Sequence, residues 1–202
     1  MVAEGERIGM MRRGLWVAVA VVVVVVLAGL LVFGSYVTAK NQMVAKQEAV
    51  HEQWSQVDVV LDRRAQLIPN LVATVKGYAA HEEKVFADVS NANAAMLGTH
   101  DPQAKIQASN QLDSAVGRLL ALRESYPDLK ANQNFLSLQD QLEGSENRIA
   151  VERRRYNETV RDYNTYIRQF PNSFWASLAG FHTDNAYFEA SESSRQTPQV
   201  KF

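Results

Sequence analysis

Two histidine–glutamate dipeptides, His51-Glu52 and His81-Glu82, are the first residues in this chain whose types could support catalysis. A zinc protease of the His-Glu-x-x-His kind holds its metal between two imidazoles one helical turn apart, and the glutamate activates a water. The position that needs the second histidine is Ser55 in one case and Val85 in the other, so neither dipeptide completes the site. A turn near Pro69 would bring His51 and His81 to similar heights on antiparallel helices, beside Glu48, Glu52 and Glu82. Bundles that hold metals in this way use paired Glu-x-x-His motifs, and none is present. No metal is expected. The run Arg153-Arg154-Arg155 has the residue type for phosphate or nucleic acid, but Glu143, Glu146, Glu152 and Glu158 flank it. Three successive helical residues point three ways, so a solvated, salt-bridged face is expected and no nucleic-acid partner. Asp58, Asp62, Arg63 and Arg64 read alike, as neighbours near a helix end, where Arg63 or Arg64 could also hold carbonyls or carboxylates at a tip by Pro69.

The chain has no cysteine, which removes disulfides, thiolate zinc sites, iron–sulfur clusters and cysteine nucleophiles together. No glycine-rich phosphate loop, nucleophile elbow or convergent acid–base pair is present either. No catalytic, cofactor-binding or metal-binding residues are therefore expected, no cofactor, and no enzyme. Net charge is −1, which gives no general attraction to polyanions.

The elements that would position these residues begin with a stretch of 26 residues, 14–39, without a charge. At about 1.5 Å rise per residue it spans the roughly 30 Å hydrocarbon core with some excess for tilt. A lone span must satisfy its own backbone, so it is a helix even where it is valine-rich. Trp16 and Tyr36 near its ends suit the interfacial belts. A cleaved signal peptide would have a shorter apolar core, so a retained anchor is expected. Arg7, Arg12 and Arg13 precede the span and Lys40 and Lys46 follow it, which places the N-terminus in the cytoplasm and the rest outside.

Beyond residue 38 apolar residues recur every three or four positions, the period of a helix. The stripes run through Met43, Val50, Trp54, Val57 and Leu61; through Ile68, Val75, Phe86 and Met96; through Ile106, Val116 and Leu120; and through Leu138, Leu142, Ile149, Tyr156, Tyr163, Ile167 and Phe170. Pro69 should end or kink the first helix before it. Asp101 caps and Pro102 opens the third. The 43 residues 128–170 carry no proline and read as one helix, in which Gly144 costs about 1 kcal/mol relative to alanine. The expected fold is all-α: an N-terminal transmembrane helix followed by an elongated antiparallel four-helix bundle. Residues 1–13 form a cytoplasmic N-terminus, 14–37 the span, 38–171 the bundle, and 172–202 an aromatic segment and flexible tail.

Several strings carry a resemblance. They are Arg63-Arg64-Ala65-Gln66-Leu67-Ile68-Pro69-Asn70-Leu71-Val72, Tyr126-Pro127-Asp128-Leu129-Lys130-Ala131-Asn132, and Leu142-Glu143-Gly144-Ser145-Glu146-Asn147-Arg148-Ile149 with Tyr156-Asn157 and Tyr163-Asn164. Together they resemble the LemA family of bacterial membrane proteins over residues 38–202. The resemblance implies an N-terminal membrane helix, an antiparallel four-helix bundle and no catalytic residues. It also points to membrane metalloproteases as neighbours. Asn93 departs from the family pattern, which often has arginine there.

Phe170, Phe174, Trp175, Leu178 and Phe181 recur at about four residues and suit a short amphipathic helix after Pro171. It either caps the bundle or docks on a bilayer or partner. At the chain end, Pro198, Val200 and Phe202 would share one face of an extended strand beside the terminal carboxylate, the form read by strand addition. The candidate partner-binding residues are thus Phe174, Trp175, Phe181, Val200 and Phe202. The expected function is a membrane-anchored helical scaffold or adaptor of the bacterial cell envelope, acting through protein–protein interaction. The alternative is a non-catalytic subunit or regulator of an envelope enzyme such as a membrane protease. Partners are the membrane, other envelope proteins and further copies of the chain.

Overall fold

The computed structural model describes residues 2–189, with side chains described at Trp16 and from Val19 onward. Among these residues the fold is all-α. Helix α1 spans Val2–Lys76, α2 Glu83–Leu97, α3 Pro102–Ala121, α4 Pro127–Lys130, α5 Gln133–Arg168 and α6 Asn172–Ala179, with a 3-10 turn at Leu122–Glu124 after α3.

The chain forms two compact units. One comprises Met1–Ala45 with Tyr166–His182. It contains the part of α1 that is the one helix, among the described residues, long and apolar enough to cross a membrane. Its large apolar side chains from Val21 through Phe33 are all exposed, as a surface built to meet lipid requires. Among its described residues, Ala39, Met43, Ile167 and Ala176 are buried.

The other unit, Lys46–Thr165 with Thr183–Phe202, holds the four-helix bundle. Polar cross-links give its helix directions. Gln53 donates to Glu152 and Arg64 forms an ion pair with Glu146, so α1 and α5 run antiparallel. Ser109 pairs with Arg153 and Arg123 with Gln139, which sets the end of α3 and α5 antiparallel too. Val57, Leu61, Ile68 and Leu71 from α1 are buried, as are Val89 and Met96 from α2, Leu112 and Leu119 from α3, and Phe135, Ile149 and Tyr156 from α5. Each such side chain contributes roughly 1.5–3 kcal/mol on leaving water.

Three expectations need correction. Pro69 does not end the first helix: α1 passes through it to Lys76, and the turn falls at residues 77–82. Residues 128–170 are not one helix either. Asn132 accepts a hydrogen bond on Oδ1 from the backbone N–H of Phe135, at 2.9 Å, and so caps a new helix. Phe170, placed in the core by period alone, lies past the end of α5 and is 88% exposed. Asp101 does cap α3 by accepting from the Ala104 N–H at 2.8 Å, with Pro102 at its first position.

Candidate functional site

Three cations of the bundle, Arg64, Lys105 and Arg153, are drawn inward. Lys105 of α3, with a side chain 4% exposed, sits between Asp58 and Asp62 of α1, donating to Asp62 Oδ1 at 3.0 Å. Burial alone would lower its pKa, but hydrogen bonds and charge from Asp58 and Asp62 together outweigh that and leave it raised. Arg64, also almost wholly buried, donates to Asp113 of α3 and forms an ion pair with Glu146 of α5 at 2.8 Å. Arg153 donates to Ser109 Oγ at 2.6 Å and to Asp113 at 3.4 Å, with its guanidinium 4.9 Å from the Phe188 ring centre. Asp58, Asp62 and Arg64 are therefore links between helices in mid-bundle, not neighbours on a solvated helix end. Arg64 does hold carboxylates, but at no tip. Arg153 likewise leaves the solvated face assigned to its triplet, while Arg154 and Arg155 stay exposed. Two cations sharing Asp113 fix the register of three helices, since a one-turn slip would leave buried charges unpaired.

Pro69 supplies a second polar contact. Lacking an N–H, it cannot bond the carbonyl of Ala65 one turn back. The side-chain amide of Asn93, buried on α2, donates to that same Ala65 oxygen at 3.3 Å. A neighbouring helix thus supplies a donor to the acceptor that the proline leaves orphaned.

On α5, Asn157 and Asn164 each grip the following segment twice. Asn157 donates to the Phe188 carbonyl at 2.8 Å and accepts from the Phe188 N–H at 2.9 Å. Asn164 does the same to Asp184, at 2.6 and 2.9 Å. Each amide thus stands in for a peptide group of a paired strand. Phe188 completes the contact by packing on Trp54 and Tyr156, with ring centres 6.2 and 5.9 Å away. Burial, then the nearby Asp184 charge, raises the pKa of both Tyr156 and Tyr163. The two Tyr-Asn pairs were visible in sequence at a spacing of seven, but the spacing named no partner.

Between α1 and α5 lies a cleft of about 340 Å³, with Val60, Leu67 and Ser145 on its walls and the exposed arginines Arg63 and Arg148 along it. Gly144 borders it and faces open space: a methyl group there would meet nothing within 4 Å. His51 is exposed in mid-α1, whereas His81 lies in the turn that follows the helix, so they are not at matching heights. Among the described residues no group of three or more acidic or histidine side chains could hold a metal.

The aromatic segment divides. Phe174 is 60% exposed, whereas Trp175 meets Tyr36 edge to face at 5.5 Å and Phe174 at 4.8 Å. Gly180 ends α6 with φ +78°, a conformation strained for any other residue, and lets the Phe181 N–H bond the Ala176 carbonyl at 2.9 Å. Phe181 is half-buried. Val200 and Phe202 lie outside the described residues.

A sequence model of the LemA family matches residues 53–202. Among curated proteins, magnetosome protein MamQ of Magnetospirillum gryphiswaldense is 25% identical over 188 residues, covering 79% of this chain and 69% of that protein. MamQ 2 of Paramagnetospirillum magneticum is also 25% identical, over 90% of this chain and 77% of its own length. Protein LemA of Metamycoplasma hominis is 25% identical over 79% of this chain and 73% of that protein.

Proposed function

Because the chain belongs to the LemA family, we propose that it is a membrane-anchored helical scaffold that works by holding another envelope protein against its bundle. The observation that carries this reading is the α1–α5 cleft: Val60 and Leu67 give it an apolar floor, Gln66, Gln141 and Ser145 a polar edge, and Arg63 and Arg148 stand beside them, with open space at Gly144. Such a groove suits an amphipathic partner helix with acidic residues flanking its apolar face. The bundle's inward charges are committed to pairs that fix register, which favours a binding module over an acid–base site. The relatives named as magnetosome proteins support a membrane-associated role. In this reading the N-terminus is cytoplasmic and the bundle lies outside, following the arginines ahead of the span. Val200 and Phe202 provide a second contact.

Co-purification of the tagged full chain from cross-linked membranes tests it. A protein recovered with the natural chain should disappear with Gly144→Phe, which fills the cleft. It should persist with Gly144→Ala, which leaves the cleft open and adds about 1 kcal/mol of helix stability. Deleting residues 198–202 should weaken the recovery. If the same proteins accompany all variants, or none accompanies the natural chain, the reading fails. Recovery of a membrane protease would make the chain a non-catalytic subunit, and recovery of a second tagged copy would make it a homo-oligomer.

A further inference from the structure

The two faces of α6 require different surroundings. Trp175 turns inward onto Tyr36, and Ala176 beside it is buried. Phe174 and Leu178, one turn apart, are 60% and 65% exposed, and Phe170 just ahead of the helix is 88% exposed. Asn172–Ala179 contains no charged residue, so this outer face lacks what keeps an ordinary surface helix in water.

The contact on the inner face indicates what covers the outer one. Tyr36 lies near the end of the uncharged run 14–39, where α1 leaves the hydrocarbon. Val32, Phe33 and Val37 around it are exposed like the rest of the span. A side chain packed on Tyr36 is at headgroup depth, the level that tyrosine and tryptophan favour. Lys40 and Arg168, both exposed, suit the phosphates found there.

We propose that α6 is an interfacial helix, with Phe174, Leu178 and Phe170 seated in the headgroup–acyl boundary of the bilayer that α1 crosses. The Trp175–Tyr36 contact fixes its depth. Apolar side chains on a short helix that lies in the interface plane bind lipid without spanning it. This seat rests on α1 crossing a membrane and not on recruitment of a partner, so the two readings can fail separately.

The absence of cysteine makes the test direct. Phe174→Cys, Leu178→Cys and, as control, Arg154→Cys on exposed α5 surface are made singly in the full chain. Each is labelled with an environment-sensitive fluorophore and placed in nanodiscs of phosphatidylcholine and phosphatidylglycerol. Lipids carrying a quencher near the glycerol should quench the labels at 174 and 178 but not at 154. Aqueous iodide should quench 174 and 178 roughly five-fold less than 154, as interfacial burial implies. Free access to iodide at 174 and 178 without lipid quenching overturns the proposal. Shielding from both quenchers also overturns it, because a protein then covers the face. Circular dichroism matching the natural chain confirms that each variant is folded.

Discussion

Lys105 keeps its charge with a side chain 4% exposed because two carboxylates on α1 face it across the helix contact. Its raised folded pKa carries a pH dependence of known sign. An unfolded lysine titrates near 10.4, so the stabilisation is complete below that pH and is lost as pH rises through the higher folded value. Tyr156, buried and neutral, acts in the same direction, since the unfolded tyrosine ionises near 10 while the folded one resists. The thermal midpoint should therefore fall steeply above about pH 10. Lys105→Met should flatten part of that fall, measured as midpoint against pH. A variant with an unchanged slope would show that the buried lysine is not the titrating group. From sequence, Lys105 was one cation among many. Nothing in its neighbours indicated burial, because its partners lie more than forty positions away.

At the scale of an element, α1 is a helix that proline chemistry alone would have ended or kinked. Local rules describe what Pro69 removes, an N–H for the Ala65 carbonyl, and do not contain Asn93, which replaces it from α2. Asn93→Leu should cost about 1–3 kcal/mol, the penalty for stranding a buried acceptor. In a Pro69→Ala background the backbone supplies its own donor, so the cost of Asn93→Leu should fall by about 1 kcal/mol. Chemical denaturation of the four proteins of this cycle measures the coupling. Strict additivity would mean that the Asn93 contact does not serve the proline. The start of α5 was misread for a related reason: Asn132 can cap or continue a helix, and the cap wins by engaging the Phe135 N–H. The cap of α3 was legible because Asp101-Pro102 allows one local arrangement only.

For the whole molecule, a chain lacking residues 1–36 should remain soluble and strongly helical, since the bundle's buried stripes need no lipid. Circular dichroism and size-exclusion chromatography check this, and strand-like spectra or wholesale aggregation would contradict it. Composition and spacing were legible without the fold: an uncharged run long enough to cross a bilayer, helical periods throughout, and a family resemblance carried by long strings. These follow from the solvent each residue type prefers and from the spacing of one helix, which are local properties. Only the packing of distant helices turns Arg64, Lys105 and Arg153 inward, lets Asn157 and Asn164 clasp the segment through Asp184 and Phe188, and leaves a cleft beside Gly144. Those outcomes depend on which helices lie opposite one another and in what register. That choice is made by summed burial and by the high cost of leaving a buried charge or carbonyl unpaired, and neither quantity exists until distant segments meet.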